Sequence, residues 1–143
     1  FLISRERLIA LVPASHGSAK GKTITLRQLA AVPMAIGTET RWRGFRKLVE
    51  DMTKSKEVTL KIVEEADDLP VLLQFVRSGF GCTILDASFI PTLPPGIKSL
   101  EIKDAKPTLD ISLAWSKGNV TPLATRFIEV AKELIYKSRT LSR

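Results

Sequence analysis

Short apolar runs rich in β-branched residues alternate along this chain with helical patterns of about 10 to 15 residues. Residues 8–12 form one uninterrupted apolar run, LIALV, and residues 69–76 carry leucine and valine at the i, i+3, i+4 and i+7 spacing of a helix face. Such an alternation is typical of βαβ units around a sheet that is covered on both faces. The sequence therefore predicts an α/β fold with a mainly parallel sheet flanked by helices.

The pattern also predicts where the elements lie. We expect strands over residues 7–13, 32–36, 58–63, 80–85, 97–102 and 109–115. We expect helices from Thr25 to Ala30, along an apolar stripe from Trp42 to Met52, after Asp67 or Asp68, and from Thr121 onward. Gly81, inside a buried strand pattern, indicates a close backbone approach. The apolar stripe of the last helix must dock either on this domain's own sheet or on a neighbouring lobe.

Several kinds of site are disfavoured by composition. The chain has 143 residues with one cysteine, Cys82, and one histidine, His16. These counts exclude an internal disulfide and cysteine-rich or histidine-based metal sites, and they disfavour a Ser/His/Asp triad. Cys82 falls in a buried strand pattern, which favours a structural role over a nucleophile, and His16 falls in a loop. No apolar run is long enough to span a membrane, so we expect no membrane contact. We also expect neither a cofactor nor a metal.

The charge balance leaves the partner open. Lysine and arginine exceed the acids by seven, and Lys137, Arg139 and Arg143 of the last seven residues account for three of these charges. Cations interleaved with aromatic residues, which would indicate nucleic-acid binding, are not evident. We interpret the basic excess as a solvated surface.

Two strand-to-helix loops are candidates for ligand binding. Residues 37–42 and 66–68 each leave a strand and enter a helix, where free N–H groups and the positive end of the helix dipole face outward. Thr38 and Thr40 fit either capping or ligand contact, and Trp42 fits the core stripe better than the loop. The acidic cluster of Glu64, Glu65, Asp67 and Asp68 fits a helix cap with solvated charge, or a wall of a cleft.

Four fragments, in this order and spacing, resemble the effector-binding domain of LysR-type transcriptional regulators. They are LIALVPASH at residues 8–16, ITLRQL and VP at residues 24–33, VRSGFGCTIL with AS at residues 76–88, and LAW with TPL at residues 113–123. The resemblance implies a two-lobed fold like that of type 2 periplasmic binding proteins, with a mixed sheet. It also implies a cytoplasmic regulator that binds a small molecule, such as an organic anion, forms homodimers or tetramers, and contacts DNA through a winged helix-turn-helix domain absent from this chain.

The resemblance also implies a division of the chain. Residues 1–12 would be a crossover strand from a first lobe that is largely missing, and residues 13–116 would form the second lobe. Residues 117–143 would be a C-terminal helix and basic tail that pack on the first lobe. Because the chain begins at Phe1 and not at methionine, we expect it to be part of a longer protein.

By position, the resemblance places specific residues at the effector cleft. They are Thr38, Glu39, Thr40, Arg41, Phe45, Asp68 and Asp86. Asp86 departs from the family, which commonly has proline there, and Gly17 replaces a usual proline after His16. An acid at Asp86 repels an anionic effector unless Arg41 or another cation neutralises it.

Other functions remain as alternatives. An exported solute-binding protein would share the fold, but the chain shows no signal peptide and no disulfide. An enzyme on the same scaffold lacks the expected catalytic residues, so we predict no enzymatic activity. Direct nucleic-acid binding through the basic surface would require steep salt dependence.

Overall fold

The chain forms seven strands and four helices in the part that a computed structural model describes, which is residues 1–118 and 120–141, with side chains up to Ser138. The strands are β1 (Leu2–Pro13), β2 (Thr23–Ile24), β3 (Pro33–Gly37), β4 (Lys61–Ala66), β5 (Thr83–Asp86), β6 (Ile97–Ile102) and β7 (Thr108–Ser112). The helices are α1 (Leu26–Ala30), α2 (Glu39–Lys54), α3 (Leu69–Arg77) and α4 (Pro122–Leu141), and short 3₁₀ turns cover Gly17–Lys20 and Ala87–Thr92. The predicted α/β class is confirmed.

Two compact units share this chain. The larger unit is Glu6–Leu109, and the smaller unit combines Phe1–Arg5 with Asp110–Arg143. Both divisions fall inside strands, the first in β1 and the second in β7.

The sheet of the larger unit is mixed. β1 pairs antiparallel with β5 and with β6, and β2 pairs parallel with β6. β3 pairs parallel with β4 and also with the residue that precedes β5, since the Ala35 N–H donates to the Cys82 carbonyl at 2.9 Å. The three strands β3, β4 and β5 therefore run in the same direction, as the βαβ pattern predicts.

The core lies on both faces of β1. Leu8, Ala10 and Val12 belong to one cluster, which includes buried side chains of α1 and α2, whereas Ile9 and Leu11 belong to another that packs against residues of α3 and the second 3₁₀ turn. Each fully buried leucine, isoleucine or valine side chain stabilises the fold by about 1.5 to 3 kcal/mol. The uninterrupted apolar run at residues 8–12 thus reflects burial on both faces, as predicted.

Two predicted helix starts are confirmed by their caps. The Thr25 hydroxyl accepts the Gln28 N–H, and the Gln28 side chain in turn accepts the Thr25 N–H, which completes a capping box. The Asp68 carboxylate accepts the Val71 N–H at 3.1 Å, and Pro70 lies in the first turn of α3, where a missing N–H costs nothing.

The prediction for the strand at residues 58–63 is wrong. β4 begins at Lys61 and extends through Glu64 and Glu65, so these two acids lie on a strand and cap no helix. The register slips between Met34 and Ala35 of β3, which pair with Ile62 and Glu64 of β4. The extra residue in β4, Val63, reverses the alternation of faces on which the prediction relied. Ile62 on this strand is exposed.

The predicted start of the next strand at Phe80 is also wrong. β5 begins at Thr83, and the Phe80 side chain is 69% exposed. The predicted close approach at Gly81 is confirmed, because a Cβ atom there would lie 2.3 Å from the Pro33 carbonyl oxygen. β1 starts five residues before its expected beginning at Arg7, and β7 ends at Ser112, before the expected Trp115.

The smaller unit joins the start of β1 to β7 and α4. The Phe1 ammonium donates to the Leu113 carbonyl at 2.9 Å, and the Phe1 ring meets Tyr136 edge-on at 5.9 Å. The apolar stripe of α4 is exposed in the described part of the chain, with Leu123 at 81%. Of the basic tail, the Arg139 and Arg143 side chains lie outside the described residues.

Candidate functional site

The carboxyl ends of three strands meet at one edge of the larger unit's sheet. Gly37 ends β3 and pairs with Ala66, which ends β4, while Asp86 ends β5, the strand that runs parallel to β3 on its other side. Ligands bind at such edges in open α/β sheets because loops and helix starts converge there. We call residues 37–42, 67–68 and 86 the rim.

Thr38 holds the rim together. Its hydroxyl donates to Asp67 Oδ1 at 2.7 Å, so it joins the start of α2 to the loop after β4. Thr38 occupies the position before α2, yet its side chain makes no capping bond. The first-turn N–H groups of Glu39, Thr40 and Arg41 therefore donate no hydrogen bond to the Thr38 side chain, which leaves the positive end of the helix dipole open.

Trp42 also contacts the loop after β4. Its indole N–H donates to the Asp67 carbonyl at 2.9 Å, and its ring lies against Gly37 so closely that a Cβ atom there would be 2.1 Å away. Trp42 also packs on two core clusters, as the apolar stripe predicts. Its backbone departs from helical geometry, so the first turn of α2 is set apart from the rest of the helix by a kink.

Charged residues beside this turn are arranged around Arg46. The Arg46 side chain is 14% exposed and donates through Nη1 to the Gly37 carbonyl at 3.3 Å. It forms ion pairs with Glu65 of β4 and, at 3.4 Å, with Glu39. Glu39, predicted as a rim residue, is thus tied to Arg46, and also to Arg43 at 3.6 Å.

Sequence reasoning missed Arg46. It lies seven residues after Glu39, two turns along the same face of a helix, and this spacing is the signal that could have revealed it.

Thr40 and Arg41 are exposed at the start of α2. Arg41 forms no ion pair within the described residues, in contrast to Arg43 and Arg46 of the same helix. Its guanidinium is therefore available to an anionic group of a ligand.

The two predicted acids at the rim both cap helical turns. Asp68 caps α3, and Asp86, at 6% exposure, accepts the Ser88 N–H at 3.1 Å and also the Ser88 hydroxyl. Asp86 is therefore buried and hydrogen-bonded to its own turn.

Phe45 lies apart from the other predicted residues. Its ring packs against the main core cluster and meets the Trp42 ring edge-on at 6.0 Å. The structure therefore brings Thr38, Glu39, Thr40, Arg41 and Asp68 to the rim with Asp86 at the end of the neighbouring strand, and places Phe45 against the core.

His16 and Cys82, the single histidine and the single cysteine, have structural roles. His16 Nδ1 accepts the Ser18 N–H at 3.1 Å and so caps a 3₁₀ turn, where the sequence indicated only a loop. Burial raises the pKa of the Cys82 thiol to about 11. Across residues 1–118 and 120–138, no group of three or more histidine, cysteine or acidic side chains is placed to hold a metal ion. No helix in the described part is long and apolar enough to cross a bilayer.

Comparison with known proteins gives a consistent result. The family model described as the LysR substrate binding domain matches residues 2–135. The chain is 26% identical over 128 residues to the HTH-type transcriptional regulator IlvR of Caulobacter vibrioides, which covers 90% of this chain and 42% of that protein. The chain thus spans less than half the length of that regulator.

Solved structures share the fold. The effector-binding domain of QuiR in complex with shikimate superposes with a TM-score of 0.83 and 22% identity, and covers 96% of this chain and 65% of that one. Full-length CbnR complexed with its target DNA superposes with a TM-score of 0.76 and 23% identity, and covers 94% of this chain and 47% of that one.

Proposed function

Since the chain belongs to the LysR substrate-binding domain family, we propose that it is the effector-sensing part of a transcriptional regulator. In this proposal the rim binds a small metabolite, and the change is transmitted to a DNA-binding domain of the same protein. The relatives that match this chain are transcriptional regulators, which supports a regulatory role over catalysis. Such a protein acts on DNA, so we place it in the cytoplasm.

The observation that carries the proposal is the rim itself. Thr38, which would ordinarily cap α2, instead bonds Asp67, so the first-turn N–H groups and the Arg41 guanidinium are left to face a ligand. Backbone N–H groups at a helix start together with an arginine favour a carboxylate or another anion.

The domain division is part of the same proposal. Residues 13–116 would form the second lobe of the effector-binding domain, with residues 1–12 crossing from the first lobe and residues 117–143 packing on it. Two observations support a division of this kind. The units of the chain separate after Arg5 in β1 and after Leu109 in β7, each seven residues before the proposed boundary, and the apolar stripe of α4 is exposed. As the resemblance to LysR-type regulators implies, we also propose that the protein acts as a homodimer or tetramer.

Binding at the rim can be followed by the fluorescence of Trp42, whose indole bonds the Asp67 carbonyl. In a Trp115→Phe background, Trp42 is the sole tryptophan. Titration with a panel of small carboxylates, including shikimate, should give saturable changes with Kd on the order of 1 mM, since one wall of a cleft contacts only one side of a ligand. Arg41→Gln should weaken binding about tenfold, whereas Arg27→Gln on α1 should not.

Two outcomes would contradict the proposal. One is the absence of any saturable change with every carboxylate, and the other is equal weakening by Arg41→Gln and Arg27→Gln. Transmission is tested separately in the regulator that carries this chain: a carboxylate that binds the rim should change the affinity of that protein for its operator DNA. A solute-binding protein, the alternative, would bind the carboxylate but not DNA.

A further inference from the structure

A cavity in the larger unit is lined by residues that do not belong to the rim. It has a volume of about 440 Å³ and is lined by Met52, Ser55 and Lys56 at the end of α2 and by residues 103–107, which follow β6. This volume falls within the range of about 300 to 1,000 Å³ that small-molecule sites occupy. We call it the lysine cavity.

Three lysines line the lysine cavity. Lys56, Lys103 and Lys106 are exposed, and none of them forms an ion pair with any described residue. In contrast, Lys47 of α2 pairs with Asp51 at 3.0 Å. The positive charge in the cavity is therefore not neutralised by the protein's own side chains within the described part.

Asp104, the acid in the same lining, is hydrogen-bonded to the start of α1. Both oxygens of Asp104 accept the Leu26 N–H, at 3.0 and 3.3 Å, and so hold the start of α1. Three ammonium groups against one carboxylate leave about two positive charges for a ligand. The buried Met52 side chain, with Ala105 and Pro107, adds an apolar floor.

We propose that the lysine cavity binds a small phosphate-bearing molecule. A phosphate ester carries about −1.5 to −2 charges at neutral pH, which matches the excess charge of the lining. Lysine is a point-charge donor suited to phosphate. The negative end of the α2 dipole opposes an anion, but it amounts to about half a charge against three ammonium groups. A concave site of this size favours a small molecule over a nucleic-acid backbone, which a convex basic stripe would fit better.

The test is a titration of the whole chain with pyrophosphate at constant ionic strength, followed by the backbone amide shifts in NMR. We expect saturable shifts at Met52, Ser55 and Ala105 that leave the rim unchanged. The double variant Lys103→Gln/Lys106→Gln should weaken binding at least tenfold. Lys61→Gln/Lys98→Gln, which removes the same charge from exposed positions outside the cavity, should change it less than twofold.

Three results would overturn the inference. They are no saturable shift with pyrophosphate, equal weakening in the two double variants, and a short DNA duplex that shifts these amides where pyrophosphate does not. Because the lysines are exposed, the variants should keep the melting temperature of the parent. An unchanged melting temperature would show that a loss of pyrophosphate affinity concerns binding and not folding. The lysine cavity and the rim share no residue, so failure of one proposal does not decide the other.

Discussion

The Thr38 hydroxyl donates to Asp67 Oδ1 at 2.7 Å, and this bond joins two loops that follow neighbouring parallel strands. The Trp42 indole N–H donates to the backbone carbonyl of the same Asp67. Asp67, in the loop after β4, therefore accepts hydrogen bonds from both Thr38 and Trp42. The rim is thus held by side chains before any ligand arrives, which lowers the ordering cost of binding.

Thr38→Val should destabilise the chain by about 0.5 to 1.5 kcal/mol, the net value of one hydrogen bond. Valine keeps the shape of threonine but cannot donate to Asp67. Urea unfolding measures the loss. Thr40→Val is the matched control, because Thr40 is exposed two residues away, and it should change the free energy of unfolding by less than about 0.5 kcal/mol. Equal effects of the two variants would show that the Thr38 bond contributes nothing.

Gly81→Ala should destabilise the chain by about 1 to 3 kcal/mol, because its Cβ would overlap the Pro33 carbonyl oxygen and the Phe75 ring. Gly44→Ala should instead stabilise it by about 0.5 to 1 kcal/mol, since Gly44 lies on the exposed face of α2 with open space around it. Thermal unfolding of both variants checks the opposite signs. A Gly81→Ala protein as stable as its parent would refute the close packing of β3 against the chain before β5.

Asp110 should titrate below its ordinary range. Hydrogen bonds from the Arg5 guanidinium, at 2.6 and 2.9 Å, lower the pKa of Asp110 from 3.8. Since the folded pKa is the lower one, this pair stabilises the fold above the unfolded pKa, and the stabilisation is lost as pH falls through the folded pKa. NMR titration of the Asp110 carboxyl carbon should show a higher midpoint in Arg5→Gln. Arg7→Gln, which removes a neighbouring cation, should leave the midpoint where it is in the parent, and a shift there would contradict the assignment.

Cys82 should resist thiol reagents while the chain is folded. Its side chain is buried, and burial raises the pKa of the thiol to about 11, so almost no thiolate forms at pH 8. Labelling with a disulfide reagent at pH 8 should proceed only after denaturant is added. Rapid labelling of the native chain would mean that the strand before β5 opens readily.

Features specified by local chemistry could be predicted from the sequence. The Thr25 capping box and the Asp68 cap with Pro70 each depend on neighbouring residues in the chain. The two-sided burial of residues 8–12 is indicated directly by their uninterrupted apolar run. The strand over residues 97–102 was predicted with the bounds that the structure has.

Features that depend on distant partners could not be predicted. β4 begins three residues after its predicted start, because pairing with β3 decides which residues of an exposed edge strand are bonded. At the rim, the types of residue indicated a ligand loop, but the bond from Thr38 to Asp67 spans 29 residues. The pairing of Arg46 with Glu65, which belongs to another element, could not be predicted either, although the spacing of Arg46 from Glu39 is a local signal.

The most direct test of the account is a map of amide shifts as the chain is titrated with the carboxylate that binds it tightest. We predict that the largest shifts lie at residues 38–41, at Asp68 and at residues 86–88, with little change at residues 103–107. A map centred elsewhere in the larger unit, or shifts spread evenly over basic surface residues, would contradict the assignment of the rim as the effector site.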